Sequence, residues 1–111
     1  MIIYNVTVNI DNSVADEWLQ WMQEVHIPDV MKTGFFLHNQ ISRMIDEIDN
    51  GGVTYAVQYK CRNLEDLEEY QNEHADAIQS RHDARYANQY VTFSSTLEIV
   101  ASDVERTEQA G

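Results

Sequence analysis

Residues 1–22, MIIYNVTVNIDNSVADEWLQWM, change from a strand pattern to a helix pattern across one short turn. Up to residue 10, apolar and polar side chains alternate, which predicts a β-strand with one apolar face, made of Ile2, Tyr4, Val6, Val8 and Ile10. After the turn, apolar residues recur at helical spacing, and Ser13 followed by Asp16 resembles a capping box. We therefore predict a strand followed directly by a helix over about 14–26.

The stretch EVHIPDVMKTGFF, residues 24–36, predicts where this helix stops. Proline lacks a backbone N–H but fits the first turn of a helix, so Pro28 predicts that one helix ends and a short new turn begins. Gly34 suits a left-handed cap at the end of that turn. Residues 35–48 are then predicted to be extended.

Residues 53–100 are predicted to form a strand, a second helix and a last strand. The turn DNGG, residues 49–52, favours a hairpin that leads into a strand over 53–61. Asn63 is predicted to cap a second helix, with Asp66 in its first turn, that runs to about residue 86 and could contain a break. A last strand over 90–100 is predicted to place four apolar side chains towards the helices, namely Val91, Phe93, Leu97 and Ile99.

The order β-α-β-β-α-β is that of the ferredoxin-like α+β fold, a four-stranded antiparallel sheet with two helices on one face. Residues 1–100 are predicted to form one domain, and the acidic tail 101–111 is predicted to be disordered. The hydrophobic content of 43% in 111 residues is typical of a single folded domain.

Charge and composition exclude several classes of function. The net charge of -12, from 19 acidic and 7 basic residues, disfavours nucleic acid and anionic membranes as partners. No apolar run approaches the roughly 20 residues of a membrane span, and the start reads as a strand rather than a signal peptide. Cys61, the single cysteine, has no partner for an internal disulfide. We expect a soluble cytoplasmic protein, and the acid excess resembles that of halophile proteins.

The sheet face away from the helices is predicted to be polar and almost uncharged. Its predicted members are Asn5, Thr7, His38, Gln40, Ser42, Met44, Thr54, Ala56, Gln58, Thr92, Ser94 and Thr96. A solvated face in so acidic a chain should carry carboxylates, so two such faces could pack together in a homodimer. The alternative is an ordinary solvated face, rich in Thr and Ser because these residues favour strands.

With this topology, the chain resembles the dimeric α+β barrel superfamily and, more closely, a bacterial domain-of-unknown-function family, number 4286. The resemblance covers residues 1 to about 100 and is carried by MIIYNVTVNI, WLQWMQEVHIPDVMKTGFF, TYAVQYKC, LEDLEEYQNEHADAIQSRH and LEIV. It implies a homodimeric barrel formed through the sheet. The superfamily includes cofactor-free monooxygenases, haem-degrading enzymes and isomerases, so the fold alone implies no one activity.

His26 and His74 are the candidate catalytic residues. His26 falls at an edge of the apolar face of the first helix, where it could act as general base, proton shuttle or ligand anchor. The alternative is a histidine favoured by the dipole at a helix end. His74 falls on or beside the apolar face of the second helix, together with His82 and Arg85. Such polar side chains either satisfy one another or line a cleft.

Three further residues are candidate ligand-binding residues: Tyr55, Tyr59 and His38. The two tyrosines are predicted to point towards the helices, where a hydroxyl needs a partner that His26 or His74 could supply. Such a pair could serve acid/base chemistry or be a plain core hydrogen bond. His38 belongs to the polar face, where it could equally be an exposed or interface residue.

No motif predicts a metal, a phosphate loop or a cofactor. The sequence has no HExxH, no cysteine pair and no close histidine pair on one helix face. Cys61 is expected to be a small buried residue. Arg43, among apolar neighbours, is expected to pair with Asp46 or Glu47.

Two functions remain open, and with them whether the protein is an enzyme. One is binding of a small organic molecule between sheet and helices, with cofactor-free acid/base chemistry by His26 and His74. The alternative is a non-catalytic dimeric interaction or regulatory protein that has no ligand. A partly apolar cavity that reaches either histidine would favour the first, and a filled core would favour the second.

Overall fold

The computed structural model describes residues 1–46 and 49–103. The four strands are β1 (Ile2–Asp11), β2 (His38–Arg43), β3 (Gly52–Cys61) and β4 (Tyr90–Glu98). They form one antiparallel sheet in the order β2-β3-β1-β4. The helical segments are α1 (Ala15–Trp21), α2 (Ile27–Lys32), α3 (Leu64–Tyr70) and α4 (Asp76–Tyr86). The predicted ferredoxin-like βαββαβ fold is confirmed.

The core lies between the helices and one face of the sheet. The alternating side chains of β1 and β3 supply the sheet side, as predicted, and Ile10 and Val57 are almost completely buried there. Trp18 from α1 and Tyr86 from α4 close the layer from the helix side. The two helical arms, residues 15–32 and 64–86, are therefore held against the sheet by large buried side chains.

The first helical arm does not end before Pro28, and this part of the prediction is wrong. Met22–His26 form a π-helical turn between α1 and α2, in which the N–H of Ile27 donates to the carbonyl of Met22. The hydrogen bonds of a π-helical turn span five residues instead of four. The helix can therefore continue through Pro28, which lacks an N–H and would disrupt the interior of a regular α-helix. It also moves the buried face from Met22 to Ile27 and Val30, while Val25 is exposed. Gly34 follows with a φ of 84°, which confirms its predicted left-handed cap.

A second π-helical turn, Gln71–Ala75, joins α3 to α4. It changes the phase of the helix, so the inner residues are Leu67, Tyr70, Ile78, His82 and Tyr86. Leu64 and Gln71, which a continuous α-helix would turn inward, are exposed. The one-residue insertion that produces this π-helical turn is not apparent from the spacing of apolar residues in the sequence.

One predicted helix cap forms and the other does not. The side chain of Asn63 accepts a hydrogen bond of 2.8 Å from the N–H of Asp66, as predicted. Ser13 instead lies in a 3₁₀ turn, Asn12–Val14, and no side chain caps α1. The extra turn moves the start of the helix beyond the reach of the serine hydroxyl.

The loop between β2 and β3 is longer than predicted, because β2 ends at Arg43 and β3 begins at Gly52. β2 spans six residues rather than the predicted 35–48, and the last bond of the ladder runs from the N–H of Met44 to the carbonyl of Thr54. The DNGG sequence closes this wider loop, with Gly51 at a φ of 85°. Glu47 and Ile48 lie outside the described residues, as do residues 104–111 of the predicted tail.

The register of β4 reverses the face predicted for its side chains. Ile10 of β1 pairs with Tyr90, and Val6 pairs with Ser94. Strand residues two apart share a face, so the helix-facing residues of β4 are Tyr90, Thr92, Ser94 and Thr96. The residues predicted to face the helices, Val91, Phe93 and Leu97, lie instead on the uncovered side, which we call the open face.

The physical reason is that alternation gives a period but does not choose a face. The choice is made where the chain leaves α4. Asn88 adopts a φ of 65° there, and the carbonyl of Gln89 accepts a 2.9 Å hydrogen bond from the N–H of Asp11. This contact fixes the register of β4.

Among residues 1–46 and 49–103, none of the helices has the length and apolar character that a membrane span requires.

Candidate functional site

A cleft of about 390 Å³ lies between α4 and the edge of the sheet formed by β1 and β4. Its walls are Tyr4, Val6, Tyr70, Ala75, Asp76, Ile78, Gln79, Asp83, Tyr90, Thr92 and Ser94. The cleft exists because β4 presents small hydroxyl side chains to the helices. Apolar residues at those positions would have packed against α4 and closed the gap.

Asp83 of α4 is the most strongly held polar group in this cleft. Its Oδ1 accepts a hydrogen bond of 3.0 Å from Nε2 of Gln79 and another from the hydroxyl of Tyr90. Donation by Tyr90, followed by that of Gln79, lowers the pKa of Asp83 against the opposing effect of burial. Burial and the neighbouring carboxylate raise the pKa of Tyr90. At neutral pH the cleft therefore holds a carboxylate beside a neutral phenol.

His82 lies behind this carboxylate, inside the core. It is 3% exposed, and its Nε2 accepts a 2.9 Å hydrogen bond from the indole Nε1–H of Trp18. A neutral ring that accepts at Nε2 carries its proton on Nδ1, which lies 3.5 Å from Oδ1 of Asp83. Burial lowers the pKa of His82 despite the nearby carboxylate, so the ring stays neutral.

The arrangement can accept hydrogen bonds from a ligand. Asp83 is a weak base because its pKa is lowered, but its ionised carboxylate can anchor a donor group in this partly apolar cleft. The neighbouring phenol and hydroxyls can orient a polar part of the ligand, while Val6 and Ile78 can contact an apolar part. Among residues 1–46 and 49–103, no three His, Cys, Asp or Glu side chains are grouped so that they could hold a metal ion.

His26 lies between the two helical arms and not on this cleft. Its ring is 5.6 Å from that of Trp21 and 5.6 Å from that of His82, between ring centroids. Its Nδ1 is buried and has no hydrogen-bond partner among the described residues. Burial, followed by the proximity of His82, lowers the pKa of His26 to about 4. At neutral pH His26 is therefore uncharged, and its ring packs within the helix layer.

His74 borders a separate, shallow groove between the helical arms. Its ring lies 5.7 Å from that of Phe35, and its Nε2 is 3.8 Å from a carboxylate oxygen of Glu73. The same groove contains an ion pair of 3.0 Å between Arg81 and Asp29. His74 therefore does not line the cleft beside β4, but Ile78 borders both the groove and the cleft, and the ring of Tyr70 in the cleft wall lies 6.3 Å from that of His74.

The two candidate tyrosines of β3 face the helices, as predicted, but neither pairs with a histidine. Tyr55 packs against Trp18, with ring centroids 5.2 Å apart. The hydroxyl of Tyr59 is buried without a hydrogen-bond partner in residues 1–46 and 49–103. Burial raises the pKa of Tyr59 well above its usual value. The predicted Tyr–His pair does not form.

The remaining candidates lie on β2 and β3, in the half of the sheet away from β4. Tyr55 and Arg43 line a second cleft of about 300 Å³ beside α1. Arg43 forms no ion pair with Asp46, and the alternative partner Glu47 lies outside the described residues. His38 is exposed on the open face, opposite Lys60. Cys61 is fully buried, as expected.

Asp83 and Tyr90 are the site residues that the sequence did not indicate. They are seven positions apart, at the end of a helix and the start of a strand, with no motif around them. Residues 90–94 alternate between two faces, and one of these faces carries only hydroxyl-bearing side chains, namely Tyr90, Thr92 and Ser94. If that face is placed towards the helices, the sequence predicts a polar cleft there.

Residues 1–100 match the family described as a domain of unknown function, DUF4286. The chain belongs to this family. Among curated proteins, none matches it.

Solved structures that resemble this DUF4286 protein share its fold at low sequence identity. A dimeric ferredoxin-like protein from an uncultured marine organism superposes with a TM-score of 0.73 at 9% identity, over 92% of this chain and 97% of that one. HapK from Hahella chejuensis gives 0.70 at 12% identity, over 96% and 100%. A mutant of MhuD with two manganese protoporphyrin IX molecules bound per active site gives 0.71 at 14% identity, over 95% and 100%. At such identities the likeness establishes the fold alone.

Proposed function

We propose that this protein binds a small organic molecule in the cleft between α4 and the β1–β4 edge of the sheet. The observation that carries the proposal is Asp83, an ionised carboxylate held by Tyr90 and Gln79 in a cleft of about 390 Å³. That volume is within the range of small-molecule sites, and the wall combines apolar surface with a few convergent polar groups. The pKa shifts of Asp83 and Tyr90 disfavour cofactor-free acid/base chemistry, because they make Asp83 a weaker base and Tyr90 a weaker acid, so the proposal is one of binding. Neither His26 nor His74 lines this cleft.

The wall of the cleft does not suit a porphyrin like that bound by the MhuD mutant. Protoporphyrin carries carboxylate side chains, and the cleft offers Asp76 and Asp83 but no Lys, Arg or His among its lining residues. A haem-type ligand would also need an axial donor, and His82, the nearest imidazole, is buried and bonded to Trp18. The proposed ligand is therefore a smaller organic molecule.

The test is a thermal-shift screen of small metabolites, repeated with a variant that fills the cleft. Ser94 lines the cleft on β4, so Ser94→Trp should abolish the stabilisation by any compound bound there. Ser80→Trp, on the exposed side of α4, is the matched control and should retain it. The proposal fails if every stabilising compound acts equally on both variants.

We also propose that the protein is a homodimer through the open face of its sheet. Val91, Phe93 and Leu97 are 70%, 64% and 47% exposed there. A row of large apolar side chains on a strand is a liability in a monomer and is typical of an interface. The same face contains Asn5, which is 8% exposed and bonded to Thr7 and Ser95, so it is already well ordered. The similar protein from an uncultured marine organism is described as dimeric.

A non-catalytic dimeric interaction protein is the second candidate function. It is favoured by the packing of His26 and His82 between the helical arms, where neither ring reaches the cleft as a lining residue. The two candidates differ in whether the cleft is occupied. The screen above separates them, since only the first predicts a ligand whose effect depends on Ser94.

A further inference from the structure

The charged groups in the wall of the cleft have a single sign. Asp76 and Asp83 contribute carboxylates, and the other polar lining residues contribute hydroxyls and one amide. No basic side chain lines the cleft to offset them, among the residues that the structure describes. The net charge of -12 adds a negative field around the whole protein. A carboxylate or phosphate ligand would be repelled at this site, while a cation would be attracted.

The hydrogen bonds of Asp83 leave half of its carboxylate unused. Gln79 and Tyr90 both donate to Oδ1, and Nδ1 of His82 lies 3.5 Å from the same oxygen. Oδ2 accepts no hydrogen bond in the part of the chain that the structure describes. The side chain is 50% exposed, so the free oxygen is accessible to a donor from outside. An ammonium group there would make a charge-assisted hydrogen bond with a fixed acceptor.

The apolar part of the wall is largely aromatic. Tyr4, Tyr70 and Tyr90 line the cleft on its two sides, from β1, α3 and the start of β4. Burial raises the pKa of Tyr70 to about 12, and the pKa of Tyr90 is raised as well, so both rings stay neutral. Neutral tyrosine rings stack on aromatic ligands and attract cations to their faces.

We infer that the ligand of this cleft is an organic amine, bound as its ammonium ion, with an aromatic or apolar body. The ammonium group binds Oδ2 of Asp83, and the body lies among the tyrosine rings and Ile78. This inference rests on the proposed function, because it assigns the chemical class of the molecule that occupies the same cleft. It adds a specificity that the fold does not imply.

The test compares three probes that share a phenyl ring on a short chain: phenethylammonium, 2-phenylethanol and 3-phenylpropionate. Titration calorimetry on the full chain should give phenethylammonium an affinity about tenfold above that of the alcohol. The propionate should be the weakest. Asp83→Asn keeps the acceptor for Tyr90 and Gln79 but removes the charge, so it should bring the amine close to the alcohol. Glu68→Gln, an exposed carboxylate on α3 that lies outside the cleft wall, is the matched control and should leave the preference intact.

Each outcome bears on one of the two proposals. If the alcohol or the propionate binds in the cleft as tightly as the amine, the amine inference is wrong and the ligand cleft stands. If the preference survives in both Asp83→Asn and Asp76→Asn, the amine binds elsewhere and the inference is also wrong. If none of the probes binds and no metabolite depends on Ser94, the ligand cleft itself is wrong. Asp76→Asn also serves as the charge-removing variant if Asp83→Asn does not fold.

Discussion

The indole Nε1–H of Trp18 donates a 2.9 Å hydrogen bond to Nε2 of His82, which joins the first helical arm to the second across 64 positions of sequence. Both side chains are almost completely buried. Because this bond occupies Nε2, the proton of the neutral ring lies on Nδ1, which is buried 3.5 Å from Oδ1 of Asp83 and has no hydrogen-bond partner among the described residues. A core contact between the helices thereby sets the orientation of the ring behind the candidate site.

Trp18→Phe removes the donor and leaves Nε2 of His82 buried without a partner. An unsatisfied buried acceptor costs about 1–3 kcal/mol, to which the lost packing volume adds. We expect the free energy of unfolding to fall by about 2–4 kcal/mol in urea titrations. Trp21→Phe loses a similar volume but no side-chain hydrogen bond, so it should cost less. Equal losses in the two variants would contradict a stabilising role for the Trp18–His82 bond.

Stability should fall as the pH drops through the range in which His26 titrates. Its pKa is about 4 in the folded protein, against 6.5 for a solvent-exposed histidine in the unfolded chain. Below pH 6.5 the unfolded chain binds a proton that the folded protein does not, so stability is complete above pH 6.5 and is lost towards about 4. His82, whose pKa is also lowered, adds to the effect in the same direction.

The measurement is urea unfolding at several pH values for the wild type and His26→Phe. The variant should lose part of the acid sensitivity, because it has one fewer buried group to protonate. His38→Gln removes an exposed histidine and should leave the profile unchanged. An identical profile in all three proteins would show that His26 is protonated in the folded state.

Phe93→Asp should convert the proposed dimer into a monomer. It places a charge among Val91, Phe93 and Leu97 on the open face, where a symmetric interface would repeat it on both protomers. Sedimentation velocity should show a single species of half the mass. Leu64→Asp is the matched control, because Leu64 is 51% exposed but lies on α3. A wild type that sediments as a monomer at high salt would contradict the interface.

Added salt should stabilise the protein. Raising NaCl from about 0.01 M to about 1 M shortens the Debye length from about 30 Å to about 3 Å, which screens repulsion among carboxylates in a chain of net charge -12. The midpoint of urea unfolding should therefore rise with salt. A midpoint that does not change would contradict the resemblance to halophile proteins.

The sequence predicted the elements of this fold better than their phases. The alternation in β1 and β3 and the cap at Asn63 were sufficient, because each is a local pattern with one physical interpretation. The phase of β4 was predicted wrongly because both of its faces are plausible, and the turn at Asn88 decides between them. The two π-helical turns were also missed, since an inserted residue changes the helix phase without changing its composition.

Those differences explain why the sequence did not indicate the cleft beside β4. With β4 reversed, Tyr90 and Ser94 leave the open face and line a cleft, and Asp83 gains its partner. With the π-helical turns in place, His82 enters the core and His74 moves to its edge. The location of the site depends on how strand and helix phases combine, which no single segment of sequence contains.

The most direct test of the ligand cleft is an amide chemical-shift map of the full chain during titration with phenethylammonium. Binding in this cleft predicts that the largest shifts cluster in residues 75–83 of the second helical arm and 90–94 of β4, and that they saturate. Shifts that cluster instead around Gln23 and Tyr55, or on the open face, would contradict it. An absence of saturable shifts would also contradict it, if metabolites that stabilise the protein leave the amide shifts of the same residues unchanged.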